Sequence, residues 1–230
     1  MTNKRFTRTL LLFKEDGFAK LQNSSVLLLG VGGVGGFALD CLYRTGIGRI
    51  CIIDYDNFDE TNQNRQIGSF EGVGEKKVKI LAQKYQGIEA IETKITQEFL
   101  QNFDFTPFDI VIDAIDDIDA KIALALTIAN HPKNPNMPLL LSSTGSAKKL
   151  DPSQIQSASI WKTYGDKFAR KFREGLKKQG FKGNFQAIFS PEPPHCKELG
   201  SFSGVTGSFG LRLASEAISI ILKKETLCKS

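Results

Sequence analysis

The chain has 230 residues, 41% of them hydrophobic and 24% charged, enough to bury one substantial core within single-domain size and too apolar for a disordered chain. A formal net charge of +5 is too modest to declare a nucleic-acid partner by itself. Cys41, Cys51, Cys196 and Cys228 form no Cys-x-x-Cys pair, and His131 and His195 are the only imidazoles, which argues against a zinc site.

Residues 1–13 carry basic side chains but lack the apolar core and cleavage site of a secretory leader, so a cytoplasmic location is expected. Residues 25–30 form a continuous apolar run ending in glycine, the pattern of a strand buried on both faces of a parallel sheet. A helix over 34–45, ended by Gly46 and Gly48, leads to a second strand at 50–54 and completes a βαβ unit. Val78, Leu81, Ala82 and Tyr85 recur at helical spacing and predict a helix over 75–86, followed by a strand over 88–96. A strand at 108–113, a helix at 121–130 and a strand at 139–142 follow, the last after a Pro-rich turn at 132–138.

The second half predicts a strand at 155–160, a basic helix at 167–179, a strand at 186–190 and a closing helix at 207–223 with Ser208 as its cap. Its apolar stretch 211–222 carries Arg212 and Glu216 and falls short of the roughly 20 residues that cross a bilayer, so a core helix, with a membrane-touching helix as the lesser alternative, and no integral membrane span are expected. Cys41 and Cys51 lie in apolar segments and read as small buried hydrophobes. Alternating strands and helices imply an α/β fold, a doubly wound, Rossmann-like, mainly parallel sheet flanked by helices. One domain is expected, with residues 1–150 binding nucleotide and 151–230 supplying the substrate side and the last helix.

Gly30-Val31-Gly32-Gly33-Val34-Gly35 follows a strand and opens a helix, so backbone amides and the positive helix end can face a phosphate. Alone, these glycines suit any dinucleotide-binding protein. Asp54, 24 residues after Gly30, ends the second strand where a carboxylate accepts hydrogen bonds from a ribose diol, and this suits NAD and ATP equally. The polar segment 56–66 separates the two: Arg65 offers a fork of donors to phosphate oxygens and Asn62 can orient a polyphosphate, neither needed by a nicotinamide. Lys77, preferred over Lys76, can neutralise charge on departing pyrophosphate. In Asp113-Ala114-Ile115-Asp116-Asp117, Asp116 is the candidate ligand for Mg²⁺, with Asp117 or Asp119 as caps of the next helix in the plainer view.

Taken together, Gly-x-Gly-Gly-Val-Gly, Arg44-Thr45-Gly46-Ile47-Gly48, Ile53-Asp54-x-Asp56, Asn62-x-Asn64-Arg65-Gln66, Val73-Gly74-x-x-Lys77 and Asp113-Ala114-Ile115-Asp116 resemble the ubiquitin-activating-enzyme-like superfamily in content and order. That resemblance implies carboxylate adenylation with ATP and Mg²⁺. ATP would be held by Gly30, Gly32, Gly33, Gly35, Asp54, Asp56, Asn62, Arg65, Gln66 and Lys77, with Asp116 on the metal. It makes Arg65, Lys77, Asp116 and Arg8 the catalytic candidates, Arg8 reaching across a homodimer into the partner's site.

The second half narrows the resemblance. Residues 150–156 and 162–173 look like the tRNA threonylcarbamoyladenosine dehydratases, which activate the carboxylate of a threonylcarbamoyl group beside the tRNA anticodon so that it cyclises with net loss of water. A tRNA substrate is implied, and a sulfur-relay helper protein is admitted. Lys162, Lys167, Arg170, Lys171, Arg173, Lys177 and Lys178, followed by Lys182, would meet tRNA phosphates, whereas without the resemblance a solvated helix face is the plainer view. Residues 183–200 are shorter than that family leads one to expect, and Cys196 within them is an unassigned thiol. The rivals are adenylation of a ubiquitin-like sulfur carrier's C-terminus, an NAD-dependent oxidoreductase, which leaves Arg65, Lys77 and Asp116 without a role, and a non-catalytic scaffold.

Overall fold

The computed structural model describes residues 4–130 and 137–223. His131, Cys228 and most of the expected Pro-rich turn lie outside the described residues. The elements in chain order are α1 (Thr7–Gln22), β1 (Ser25–Leu29), α2 (Gly33–Thr45), β2 (Arg49–Asp54), α3 (Lys77–Lys84), β3 (Glu89–Glu92), α4 (Gln97–Asn102), β4 (Ile110–Asp113), α5 (Ile118–Ala129), β5 (Leu139–Ser143), β6 (Gln156–Ser159), α6 (Lys167–Lys178), β7 (Gln186–Phe189) and α7 (Ser203–Lys223). They build one seven-stranded sheet in the order β3-β2-β1-β4-β5-β7-β6, parallel except for the β6–β7 pair.

Strand side chains alternate between two cores because successive Cβ atoms point to opposite faces. Val26 and Leu28 of β1 and Ile50 and Ile52 of β2 join one core with Leu39 and Leu42 of α2 and Phe209 and Leu213 of α7. Leu27, Leu29, Cys51 and Ile53 point the other way, onto Leu124 and Ile128 of α5 and Phe172 and Leu176 of α6. With helices on both faces, the central strands β1, β2 and β4 leave no face to water, which is why they read as continuous apolar runs. Cys51 is buried in this core, and burial pushes its thiol up to about 11.

Several boundaries differ from expectation. Helix α7 begins at Ser203, and Ser208 lies within it, its hydroxyl donating to the Gly204 carbonyl rather than capping a terminus. Gly207, at the expected helix start, and Gly210 are contact points: a Cβ on Gly210 would sit 2.2 Å from the Val34 carbonyl oxygen, and Gly207 lies against the Phe37 ring. Their small size lets α7 lie close on α2. At 21 residues α7 is long and apolar enough, by length and composition, to cross a membrane, and 56% of its most apolar window is buried in this fold. Helices α1, kinked at Lys14, and α4 were not legible in the apolar pattern, since α1 buries just Phe18 and Leu21 and α4 just Leu100. Strand β3 shrinks to four residues, three of them exposed.

The order of strands reverses between β1 and β4, so their carboxyl ends diverge and open a crevice, the place where open α/β sheets bind ligands.

Candidate nucleotide-binding and active site

A cavity of about 520 Å³ occupies this crevice. Its floor begins with the turn after β1. Gly30 has φ +83, and a Cβ there would lie 2.8 Å from the Ala114 carbonyl oxygen, so only glycine fits. Gly32 and Gly33 line the cavity, while Gly35 does not: its place is against Gly30, whose carbonyl oxygen would be 1.9 Å from an added Cβ. Three glycines therefore serve the cavity and the fourth serves helix-on-strand packing.

Asp54, at the end of β2, holds this turn. Its Oδ2 accepts from the Val31 amide at 2.8 Å and its Oδ1 from the Asp56 amide at 2.8 Å, so the carboxylate is fixed in place at the cavity edge. Lys77, at the first turn of α3 and 6% exposed, reaches into the cavity with Nζ 3.0 Å from Asp56 Oδ2. Lys76 turns away, donating to the Tyr55 carbonyl and pairing with Glu92 at 3.2 Å. Asp56, then burial, Asp116, Asp54 and Asp117 push the Tyr55 phenol above its ordinary value, a measure of how acidic this rim is.

The segment between β2 and α3 brings in Arg65 and Gln66. Arg65 lines the cavity, braced by Nη1 bonds of 2.9 Å to the Thr61 carbonyl and to Asn64 Oδ1. Gln66 is 9% exposed and also lines the cavity, and its Oε1 has no partner among the described residues, a buried acceptor that a ligand donor would satisfy. Asn62 is placed elsewhere. Its Oδ1 accepts from the Asp59 amide in a capping box, and it is not among the residues lining the cavity.

After β4, Asp113 is wholly buried and fully engaged: Oδ1 meets Lys121 Nζ at 2.8 Å and Oδ2 accepts from the Ser142 hydroxyl at 2.7 Å. Lys121 is itself wholly buried, also donates to the Ile115 carbonyl, and is driven down in pKa by burial against the pull of Asp113. This network pins the loop that carries Asp116 and Asp117. Asp117 caps α5 through the amides of Asp119 and Ala120, leaving Asp116 exposed at the cavity, with no hydrogen bond or ion pair among the described residues. A carboxylate whose oxygens are free at the phosphate end fits a hard cation such as Mg²⁺.

The geometry gathers Gly30, Gly32, Gly33, Asp54, Asp56, Arg65, Gln66, Lys77 and Asp116 around one cavity, and leaves Asn62 and Gly35 beside it and Arg8 on the exposed surface of α1. The ThiF family profile matches residues 6–230 of this chain. The tRNA threonylcarbamoyladenosine dehydratase of Bacillus subtilis is 40% identical over 197 residues, covering 83% of this chain and 76% of the relative. The chain belongs to the ThiF family, among its tRNA threonylcarbamoyladenosine dehydratases. Two solved structures of the Escherichia coli tRNA N6-threonylcarbamoyladenosine dehydratase, TcdA, superpose with a TM-score of 0.86. The complex with ATP is 31% identical and covers 95% of this chain and 93% of that one; the complex with AMP is 30% identical and covers 95% and 94%.

This ThiF-family cavity extends beyond the residues that motif spacing singles out. Lys94 and Ile95 line it from the end of β3, and Ser143 to Ala147, Phe168, Leu199, Ser201 and Thr206 line its far side. The stretch after β5 obeys the same rule that locates Asp54 and Asp116, a loop at a strand's carboxyl end, and could have been found by it. The far wall is tied to the basic helix: Asp166 caps α6 through the Ala169 amide, and its Oδ2 accepts from Thr144 Oγ1 at 2.8 Å. Of the cationic candidates, Lys162, Lys167, Arg170, Lys171, Lys177 and Lys178 are exposed, whereas Arg173 is half-buried and bonds Thr163 Oγ1. Beyond β7 the chain runs irregularly to α7. Cys196 is exposed there, its Sγ near the Glu198 carbonyl. Among the described residues no group of three or more His, Cys, Asp or Glu is gathered as a metal site.

Proposed function

We propose that this protein catalyses the ATP-dependent dehydration of threonylcarbamoyladenosine in tRNA, through adenylation of its carboxylate. The observation that carries this is one cavity with two kinds of wall: Arg65, Lys77 and Asp116 at the strand switch point, and across from them a wall bonded through Thr144 and Asp166 to a lysine-rich helix. The 40% identity to a relative of that name supports it.

In this scheme Asp54 takes the ribose, Gly32 and Gly33 leave room for phosphates, and Arg65 and Lys77 stabilise charge as it builds on the departing pyrophosphate. Asp116 would hold Mg²⁺, which when bound neutralises phosphate charge. The substrate's carboxylate oxygen bonds the α-phosphorus as pyrophosphate leaves. An atom already in the substrate, losing its proton, then attacks the activated carbonyl and AMP departs, for a net loss of one water. Because attacker and acceptor share one molecule, proximity supplies much of the rate, and no enzyme nucleophile is required. The same proposal takes residues 1–230 as one ATP-binding domain in the cytoplasm, with lysines of α6 on tRNA phosphates, Arg8 acting across a homodimer, and a sulfur-relay protein as helper. Adenylation of a sulfur carrier is the weaker alternative, because the sequence holds no Cys-x-x-Cys pair.

Mass spectrometry of nucleosides from threonylcarbamoyl-modified tRNA, incubated with the protein, ATP and Mg²⁺, tests this. Loss of one water by the nucleoside, reduced about 100-fold or more in Arg65→Ala, is expected. An unchanged nucleoside with freshly folded enzyme would overturn it.

A further inference from the structure

Sheet order divides the cavity. Asp54, Lys94 and Ile95 stand at the ends of β2 and β3, the glycine turn and Asp116 at the ends of β1 and β4 in the middle, and Thr144, Gly145 and Phe168 on the β5 side. If ribose and phosphates occupy the first and middle parts, the nucleoside bearing the carboxylate enters from the β5 side. A base next to an anticodon is stacked in its loop and must be splayed out to reach a buried phosphate, and proteins that take such bases offer an aromatic face.

We propose that Phe168 is that face, the platform on which the modified adenine stacks; this deepens, and rests on, the dehydratase function proposed above. Phe168 is half-buried and lines the cavity. Its Cβ and ring atoms lie 3.7 to 3.8 Å from where a Cβ of Gly145 would stand, so the glycine leaves uncovered a ring that any side chain there would cover. Neighbouring aromatics are already committed. Tyr164 packs edge-on against Phe189, with its hydroxyl on Gln156. Trp161 donates to the Gly183 carbonyl beside Phe181, and Phe172 packs on Phe185. Phe168 makes no ring contact among the described residues. It also stands two positions after Asp166, the residue that caps α6 and is bonded to the cavity wall through Thr144, so its backbone is held rigidly. Helix α6 would thus grip tRNA twice, phosphates on its exposed lysines and the target base on the ring at its amino end.

The test compares Phe168→Ala, Phe168→Leu and Phe168→Trp in the full chain. The readouts are kcat/KM on threonylcarbamoyl-modified tRNA at saturating ATP, Kd for ATP, and the salt dependence of tRNA binding. Phe168→Leu keeps apolar bulk but no π face. Both it and Phe168→Ala should lose about 10- to 100-fold in kcat/KM, while Phe168→Trp stays within a few fold of wild type. Affinity for ATP and the salt slope should not move, since neither depends on the base. Phe168→Leu matching wild type, or Phe168→Trp failing as badly as Phe168→Leu, overturns the platform while leaving the dehydratase function standing. If Phe168→Ala does not fold, the Leu and Trp pair alone decides. A wild-type protein that leaves the nucleoside unchanged overturns the dehydratase function, and the platform with it.

Discussion

The two sides of the cavity are built differently. On the side of β1 to β4 most of the polar framework is already held, with Asp116 and Gln66 Oε1 left for a ligand: Asp54 by two backbone amides, Lys77 by Asp56, Arg65 by a carbonyl and an amide oxygen, and the Asp116 loop by the buried Asp113–Lys121 pair. On the β5 side the wall is small residues, a ring without a ring partner among the described residues, and Leu199, which is 81% exposed. A nucleotide has fixed dimensions and a site for it can be set in advance, at no cost of ordering when the ligand arrives. A folded RNA brings its own surface, and under the proposed function the open side is the one that would meet it. The same contrast separates two buried lysines: Lys121 faces a carboxylate as buried as itself, whereas the partner of Lys77 has a side chain 45% exposed.

That difference can be broken experimentally. Lys121→Met strands the Asp113 charge in the core, so equilibrium urea unfolding should show a loss of about 3–5 kcal/mol, while Lys77→Met should barely shift the midpoint because water can reach Asp56. Lys77→Met should instead lower kcat for pyrophosphate release by about 10²- to 10³-fold, as expected on removing one charge-stabilising donor; equal stability losses in the two variants would erase the distinction. On the open side, Lys171, Lys177 and Lys178 changed together to alanine should weaken tRNA binding and reduce the slope of log K against log salt by about two to three, leaving ATP affinity untouched. A slope unchanged by the triple variant would take these lysines off the phosphates.

The smallest effect concerns Glu192, behind the open wall. Burial pushes its carboxyl up, but the Leu150 and Asp151 amides and His195 outweigh this and hold it below the ordinary carboxylate value. A group depressed on folding contributes stability that is present above its unfolded pKa, about 4.3, and is lost as pH falls through its folded value. The free energy of urea unfolding should therefore fall less steeply with pH below about 4 in Glu192→Gln than in wild type, and identical pH profiles for the two proteins would refute the assignment.

The central strands and the glycine turn were legible in the sequence because buried parallel strands have no polar face and because a turn under a phosphate tolerates no Cβ. Asp54, Arg65, Lys77 and Asp116 were legible for a related reason: each lies at or just beyond the carboxyl end of a central strand or in the segment after it, where chain order and spatial order nearly coincide. The error over α7 has the opposite origin. Gly207 looks like a helix boundary along the chain and is helix interior in space, since the contact that requires it and Gly210 is with Val34 and Phe37, some 170 residues earlier. Asn62 was equally ambiguous, for a local capping bond and a phosphate contact ask for the same side chain.

By itself, then, the sequence determined the sheet, the switch-point crevice and the anionic ligand it suits, because those depend on periodicity and on glycine at fixed places. The tertiary structure alone decided that Thr144, Gly145, Phe168 and Leu199 share that cavity, that Lys94 joins it from the third strand, and that Asp166 bonds the basic helix to its wall. These contacts join segments far apart in the chain, and no local pattern encodes which distant segment a side chain will meet.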